Sequence, residues 1–298
     1  MRIAIAGSSG LIGTALSASL VNQGHDLVRL VRRPASASNE ISWDPTREWD
    51  GAALEGYDAV INLSGVGVGD HRWTKSYKQK IRDSRVITTT VLSQALAKLD
   101  NKPTVLLNAS AIGWYGNTGD RMRDEGSPRG TGFLATVCEQ WEAATMPAQE
   151  AGIRVVHLRT GLVVAGNGGA WKRLIPLFKA GIGGKLGTGK QYWSAISLTD
   201  EIAAIEFCLT NPSIQGAVNL TGPTPLTNAE LTAVMGKVLN KPAVLPVPAF
   251  ALKIVLGEFA TETIDSARIL PKVLLDAGFA FEHPTFEEAF RVALTQQS

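Results

Sequence analysis

The sequence predicts an α/β fold: a doubly wound parallel sheet, followed by a smaller C-terminal α/β lobe. Over the first 165 residues, short apolar runs alternate with longer amphipathic stretches. Near-continuous apolar runs separated by helices are typical of a parallel sheet that is covered by helices on both faces. The 298 residues are enough for one large core with an appended lobe, because single cores stop growing at roughly 250 to 300 residues.

The individual elements follow from this alternation. The apolar runs predict strands at 3–6, 27–31, 59–63, 105–109 and 155–158. The amphipathic stretches predict helices at 11–23, 73–99 and 133–149. Gly24 and Gly152 stand just after two of these helices, where glycine relieves the strain of a left-handed backbone. Their positions therefore agree with the predicted helix ends.

The character of the sequence changes after residue 165. Glycines accumulate up to residue 189, and a proline-rich stretch follows at 242–250. A strand is still predicted at 217–220, and Thr227 with Glu230 forms a capping-box pattern ahead of a helix at 231–239. We therefore predict a main domain over residues 1–165, with a strand and a helix contributed from about 190–222, and a smaller lobe over 166–189 and 223–298.

The composition argues against several classes of function. The net charge is +2 with both signs interspersed, so no basic stripe predicts a nucleic-acid partner. No apolar stretch reaches the ~20 residues needed to cross a bilayer, so we predict no membrane partner. The four histidines are scattered along the chain, and Cys138 and Cys208 are far apart in the sequence, so we predict no metal site. The two cysteines are predicted to be core thiols. The N-terminus reads as a strand rather than a leader, which predicts a cytoplasmic protein.

Three evenly spaced glycines follow the first predicted strand in the motif GSSGLIG. Gly7 permits a tight turn, Gly10 allows a pyrophosphate to approach the backbone, and Gly13 lets the next helix pack closely on the strand. The N–H groups at the helix start would face the phosphates. A tight turn alone would need only one glycine, so the motif predicts a dinucleotide site. The residues that we assign to it are Gly7, Ser9, Gly10, Leu11, Ile12 and Gly13.

The end of the second predicted strand favours NADP over NAD. A carboxylate there would hydrogen-bond the 2′-hydroxyl of NAD, whereas an arginine accommodates the 2′-phosphate of NADP. The strand ends in Arg32 and Arg33, while Asp26 lies at its beginning and Glu40 lies well past its end. We therefore predict that residues 1–165 form a Rossmann-like domain with NADP as the cofactor. A solvated basic turn is the alternative interpretation of the two arginines.

A series of short motifs extends over nearly the whole chain. They are GSSGLIG at 7–13, INLSG at 61–65, SRVITTTVL at 84–92, SAIGWYG at 110–116, DEGSPRGTGFLATVCEQWE at 124–142, LRTGLVVAGNGGA at 158–170, NLTGPTPLTNAEL at 219–231 and RILPKVLLDAGFAFEHPTFEEA at 268–289. The series resembles the extended short-chain dehydrogenases/reductases. More narrowly, it is similar to their atypical subgroup of epimerase family proteins, also called SulA-like, of the NAD-dependent epimerase/dehydratase superfamily.

The resemblance implies contacts for the rest of the cofactor. Arg85, on the helix after the third predicted strand, would reach toward the phosphates. The residues that would border the adenine side are Leu63, Ser64 and Gly65. Those that would flank the nicotinamide are Thr160, Gly161 and Val164, with plain packing as the alternative for Val164.

The proton-transfer pair of the wider superfamily is missing from this sequence. Its reductases use a tyrosine and, four residues later, a lysine that lowers the tyrosine pKa from its usual ~10. None of the four tyrosines has a lysine at that spacing, and the helix where the pair should fall reads FLATVCEQWE at 133–142. Ser110 and Tyr115 remain as candidate catalytic residues, with Asp124 and Glu125 beyond them. The alternatives are cofactor binding or turn capping for Ser110 and a pocket wall for Tyr115.

Two functions are therefore open. The first is an NADP-dependent oxidoreductase or epimerase that holds a small polar substrate, of a nucleotide-sugar-like kind, between the two lobes. The second is a protein that binds NADP(H) without turnover, as a redox sensor or an interaction module. The C-terminal lobe favours the first function and the missing tyrosine-lysine pair favours the second. The sequence identifies neither the substrate nor the oligomeric state.

Overall fold

The computed structural model describes residues 1–295 of the chain. The strands in these residues are β1 (Arg2–Ala6), β2 (Asp26–Val31), β3 (Glu40–Ser42), β4 (Ala59–Asn62), β5 (Val105–Ala111), β6 (Arg154–Thr160), β7 (Leu162–Val164), β8 (Tyr192–Trp193), β9 (Ala195–Ser197), β10 (Gly216–Leu220) and β11 (Leu226–Thr227). The α-helices are α1 (Leu11–Asn22), α2 (Lys75–Lys98), α3 (Phe133–Ala143), α4 (Met146–Glu150), α5 (Trp171–Lys179), α6 (Leu198–Thr210), α7 (Asn228–Leu239), α8 (Ala249–Leu256), α9 (Ala260–Ile264), α10 (Lys272–Asp276) and α11 (Phe286–Thr295).

The main sheet has seven strands in the order β10, β6, β5, β4, β1, β2, β3, and its neighbouring strands pair in parallel. This confirms the predicted doubly wound fold. The strand order reverses at β1, which pairs with β2 on one side and β4 on the other. In folds of this type, ligands bind outside the carboxyl ends of the strands at such a reversal.

Both faces of the sheet are covered, which explains why the strands are almost wholly apolar. Ile3 and Ile5 of β1 are fully buried among side chains of α1 and α6. Ala4 and Ala6 point to the opposite face and pack among side chains of α2. Alternation of this kind on two covered faces leaves no position in the strand for a solvated polar residue.

Two of the differences from the sequence prediction concern the sheet and the helices that cover it. The helix predicted at 133–149 is divided into α3 and α4, because Pro147 has no N–H and therefore stands at the start of a new helix. The short edge strand β3 was not predicted, and it pairs Glu40 with Arg29 of β2. Gly24 and Gly152 have φ angles of +81° and +84°, as expected after a helix.

The C-terminal residues form a hydrophobic cluster of their own around Trp171, which is 1% exposed. The Trp171 ring lies 5.3 Å from the ring of Phe286 and 6.4 Å from that of Trp193. The predicted capping box is present at the start of α7: Thr227 Oγ1 accepts from the Glu230 N–H, and Glu230 accepts from the Thr227 N–H at 2.7 Å. The predicted domain limits at residues 165, 190 and 222 remain a prediction.

Two further observations concern the described residues 1–295 as a whole. None of their helices combines the length and the apolar character that a membrane span needs. No group of three or more histidine, cysteine or acidic side chains among them could hold a metal ion. Cys138 and Cys208 are both buried and free, as predicted, and burial raises the pKa of each thiol to about 12.

Candidate functional site

A cleft of about 1520 Å³ opens at the carboxyl ends of β1, β2 and β4. Its wall brings together eight residues that the sequence assigned to the cofactor: Gly7, Ser9, Gly10, Arg32, Arg33, Leu63, Ser64 and Gly65. The wall also contains residues 42–49 and one side of α2, which were not predicted because nothing in their composition marks a ligand site. The predicted residues outside this wall are Leu11, Ile12, Gly13, Arg85, Ser110, Tyr115, Thr160, Gly161 and Val164.

Two glycines of the GSSGLIG turn are required by the chain itself. Gly7 has a φ of +82°, and a Cβ added to it would lie 2.6 Å from the carbonyl carbon of Leu63. A Cβ on Gly13 would lie 2.2 Å from the Gly7 carbonyl oxygen. Both distances are far below van der Waals contact, so the turn, α1 and the end of β4 interlock through these two positions.

Gly10 is different from the other two glycines. Its φ of −77° and ψ of 173° are extended values that any residue adopts. The nearest atom to an added Cβ is the Gly7 oxygen at 3.5 Å, which is ordinary contact. Gly10 is the N-cap of α1, and the first N–H groups of a helix have no acceptor inside it. The space in front of this helix start opens into the cleft.

Arg32 and Arg33, which the sequence assigned to the same role, have different partners in the structure. Arg33 donates to both carboxylate oxygens of Glu40, at 2.7 and 2.8 Å, and Arg29 donates to the same carboxylate at 2.8 Å. The Glu40 side chain is fully buried, and the hydrogen bonds from Arg33 and from the Ser36 N–H lower its pKa to about 2. The exposed side chain of Arg32 lines the cleft and has no hydrogen bond or ion pair within the described part of the chain.

Arg85 supports the cleft wall from behind. Its guanidinium donates to the carbonyl oxygens of Ile81 and Val66, each at 3.0 Å, and lies 5.0 Å from the ring centre of Trp141. These contacts hold the segment that follows β4 against α2. The predicted reach of Arg85 toward the phosphates stays a prediction.

The two candidate catalytic residues belong to one buried hydrogen-bond network. Ser110 Oγ donates to Glu142 Oε1 at 2.7 Å. Arg159 donates to both oxygens of Glu142, at 2.8 and 2.9 Å, and to the hydroxyl of Tyr115 at 2.9 Å. The Tyr115 hydroxyl in turn donates to Asn219 Oδ1 at 2.8 Å. The Ser110 and Tyr115 hydroxyls are therefore both occupied by partners inside the protein.

The surroundings of this network are poorly suited to proton transfer at neutral pH. Tyr115 is 3% exposed, and burial raises its pKa to about 12. On α3, Leu134 and Cys138 lie against Gly113, just beyond the end of β5, in the helix where the missing pair should fall. The Cys138 thiol donates to the Ala111 carbonyl oxygen at 3.6 Å. No phenol or ammonium takes the place of the tyrosine and lysine on this part of α3.

The acidic pair at 124–125 also has structural partners. Glu125 Oε1 accepts from the N–H groups of Asn219 and Val273, at 2.9 and 3.2 Å, and thus joins the segment to β10 and α10. Burial raises the pKa of Glu125. Asp124 accepts from the Ser127 hydroxyl at 3.1 Å in a local turn. Both carboxylates are used in holding this loop.

The residues predicted to flank the nicotinamide lie at the end of β6 and in β7. Thr160 Oγ1 donates to Glu201 Oε1 at 2.8 Å, and the Gly161 N–H donates to the Leu220 carbonyl oxygen at 2.9 Å. Val164 is fully buried in the cluster around Trp171, which supports the packing interpretation of this residue.

Glu201 predicts a pH-dependent stability. It is fully buried on α6, and burial raises its pKa from 4.5 to about 8. Between these values the carboxyl is protonated in the folded protein and ionised in the unfolded chain. The contribution of Glu201 to the free energy of unfolding is therefore fully present below pH 4.5. As the pH rises from 4.5 toward 8, the free energy of unfolding falls by about 1.4 kcal/mol per pH unit. Glu201→Gln should remove this slope in urea unfolding measured over that range.

The control for this experiment is Glu150→Gln, because Glu150 is exposed and its carboxyl is not buried as that of Glu201 is. It should retain the slope of the native protein. The prediction would be contradicted if the free energy of unfolding of the native protein varied with pH no more than that of the Glu201→Gln variant.

Glu142, Arg159 and Asn219 are the members of the buried network that sequence reasoning missed. A signal for Arg159 existed: it continues the apolar run 155–158, and an arginine in a buried strand needs a carboxylate partner. The sequence alone did not identify that partner, because Glu142 lies on a helix 17 residues away.

Comparison with known proteins places this architecture in a family. The model of the NAD dependent epimerase/dehydratase family matches residues 3–220, and that of a domain of unknown function, DUF1731, matches residues 247–293. An epimerase family protein of Mycobacterium bovis is 49% identical over 296 residues, covering 99% of this chain and 98% of its own.

Two solved structures resemble the chain along nearly its whole length. Human epimerase family protein SDR39U1, crystallised with NADPH, is 27% identical with a TM-score of 0.91, and the match covers 99% of each chain. The nucleoside-diphosphate sugar epimerase from Corynebacterium glutamicum is 32% identical with a TM-score of 0.83, over 99% of this chain and 58% of the other. The resemblance seen in the sequence is thus confirmed: the chain belongs to the NAD-dependent epimerase/dehydratase family, as an atypical short-chain dehydrogenase/reductase.

Proposed function

We propose that the protein binds NADP(H) in the cleft at the carboxyl ends of β1, β2 and β4. The observation that carries the proposal is the conformation of Gly10. Nothing in residues 1–295 requires a glycine there, so its missing side chain serves a group that comes from outside. A pyrophosphate fits this position, because unpaired helix N–H groups and the positive end of the α1 dipole favour an anion.

The adenosine end of the cleft supports the phosphorylated dinucleotide. The guanidinium N–H groups of Arg32 are available to bind a phosphate. Those of Arg33 donate to Glu40, which holds Arg33 beside Arg32. Because Arg29 and Arg33 both pair with Glu40, this buried carboxylate does not cancel the charge of Arg32. A guanidinium binds phosphate oxygens through charge-assisted hydrogen bonds. The relative SDR39U1, crystallised with NADPH, supports the same choice.

The remaining contacts follow the predicted residues. Leu63, Ser64 and Gly65 would border the adenine side, and Thr160 with Gly161 would lie at the nicotinamide end. When bound, NADP(H) would supply or accept a hydride at the nicotinamide. In this proposal, the chain's own residues bind and orient the cofactor.

Replacing Arg32 tests the proposal. NADPH should bind the native protein more tightly than NADH does, and Arg32→Ala should weaken NADPH by roughly 10- to 100-fold. This range corresponds to a lost charge-assisted hydrogen bond of about 1.5 to 3 kcal/mol. NADH affinity should change little. Fluorescence titration gives both dissociation constants. The matched control is Arg291→Ala, an exposed arginine on α11, and equal native affinity for the two cofactors would refute the proposal.

Binding without tyrosine-based proton transfer is the function that the site geometry supports best. The Tyr115 hydroxyl is engaged by Arg159 and Asn219, and Ser110 is engaged by Glu142. A positioned acid or base contributes about 10² to 10⁴-fold to a rate, and these two residues do not offer a free one. We therefore propose an NADP(H)-binding sensor or interaction module.

Turnover of a small polar substrate is the second candidate function. It is favoured by the 32% identity to the Corynebacterium nucleoside-diphosphate sugar epimerase. Stopped-flow screening of NADPH oxidation against carbonyl compounds separates the two functions. The binding proposal predicts no turnover above the solvent rate. Substrate-dependent oxidation of NADPH would overturn it, and loss of that oxidation in Ser110→Ala or Tyr115→Phe, with NADPH affinity retained, would assign these residues a catalytic role.

A further inference from the structure

Helix α8 turns an apolar surface toward solvent. Its inner side packs into the lobe through Leu252, which is 8% exposed, and through the partly buried Leu256. On the opposite side, Phe250 and Ile254 are one turn apart and are 67% and 68% exposed. Lys253 lies beside them and is exposed as well. Side chains four residues apart lie on the same side of a helix, so these residues form a stripe.

A neighbouring pair of segments extends this stripe. The Val247 N–H donates to the Lys185 carbonyl oxygen at 2.9 Å, so the chain before α8 runs beside the chain after α5. These segments expose Val244, Leu245 and Ile182 at 76%, 52% and 53%. We define residues 182–185 and 244–245 with the outer side of α8 as the basic apolar face.

The charge of these segments is one-sided. Residues 166–190 and 241–257 contain six lysines and one arginine and no aspartate or glutamate, whereas the whole chain carries only +2. Arg72 adds a further cation, because its guanidinium donates to the carbonyl oxygens of Ile254 and Val255 at the end of α8. Of these cations, Lys185 and Lys253 belong to the basic apolar face itself, and the half-exposed Glu258 that follows α8 is paired with Lys78 at 2.6 Å. The exposed apolar residues therefore lie among cations.

We propose that the basic apolar face binds the surface of an anionic lipid bilayer. Protruding apolar side chains enter the headgroup boundary without a preformed pocket, and nearby lysines are attracted to anionic lipids. A second copy of this chain would bring like charges together. A protein partner is less favoured, because lysine is depleted at protein interfaces whereas arginine is enriched there. The contact is peripheral, and it departs from the sequence prediction of no membrane partner without requiring a spanning helix.

Vesicle cosedimentation of the full-length protein tests this proposal. We expect binding to vesicles of phosphatidylcholine with phosphatidylglycerol, weakened by salt, and little binding to phosphatidylcholine alone. Lys253→Glu should weaken the anionic-vesicle affinity about tenfold, because it removes one attractive charge and adds a repulsive one. Phe250→Ser with Ile254→Ser should weaken it by more than about tenfold. Thermal unfolding of each variant checks that the fold is retained.

Matched controls lie elsewhere on the surface. Val21→Ser removes an apolar side chain that is 54% exposed on α1, and Lys102→Glu reverses an exposed charge after α2. Both controls should bind anionic vesicles like the native protein. Equal binding to the two kinds of vesicle, or unchanged binding of the α8 variants, would overturn the proposal. Binding to soluble polyglutamate but not to vesicles would also overturn it and assign the face to an acidic protein.

Discussion

Replacing Gly10 by valine is expected to abolish NADPH binding and to leave the protein folded. The branched side chain has room against the protein, since the nearest atom to a Cβ is 3.5 Å away, but it would fill the space in front of the α1 N-terminus. Losing two charge-assisted hydrogen bonds to a pyrophosphate, at about 1.5 to 3 kcal/mol each, would weaken binding by more than a factor of about a hundred. The cost to stability is about 1 kcal/mol, because valine is a poor N-cap. Fluorescence titration and circular dichroism measure the two effects separately.

Gly13→Val is the matched control for this experiment. Its Cβ would lie 2.2 Å from the Gly7 carbonyl oxygen, so the substitution should destabilise the turn and α1 before any question of binding arises. The same change at two glycines of one motif should therefore give opposite results. A folded Gly10→Val protein with native NADPH affinity would show that the cofactor does not approach this turn.

Glu142→Ala is expected to lower the free energy of unfolding by about 3 to 5 kcal/mol. The substitution leaves the buried guanidinium of Arg159 without its carboxylate and takes the acceptor from Ser110. Removing one partner of a buried ion pair has a cost of this size, because the remaining charge stays out of water. Urea unfolding followed by circular dichroism measures the change.

The matched control is Glu139→Ala on the same helix. Glu139 pairs with Arg129 at 3.0 Å near the surface, with half of its side chain exposed, so its loss should cost less than about 1 kcal/mol. If Glu142→Ala is no more destabilising than Glu139→Ala, the buried network does not hold β5, β6 and α3 together.

The sequence was most informative where local chemistry decides the structure. The apolar runs and the glycine turn of residues 7–13 predicted the sheet and the cleft, because strand burial and turn geometry depend on neighbouring residues. The pairing of Arg33 with Glu40 was not predictable, since it depends on the short strand β3 returning to the sheet edge. The bond from Tyr115 to Asn219 joins residues 104 positions apart, and no sequence pattern specifies such a contact.

The saturated carboxylate of Glu40 has a consequence for how the protein would respond to its surroundings. Five hydrogen bonds from Arg29, Arg33 and Ser36 keep this group ionised at every pH that a cell provides. The charge of the Glu40 carboxylate beside Arg32 and Arg33 is therefore constant, so a loss of NADPH affinity on acidification would come from the cofactor's own 2′-phosphate, since a phosphate monoester has a second pKa of about 6. Acidity would act on the protein itself through Glu201, whose pKa burial raises to about 8.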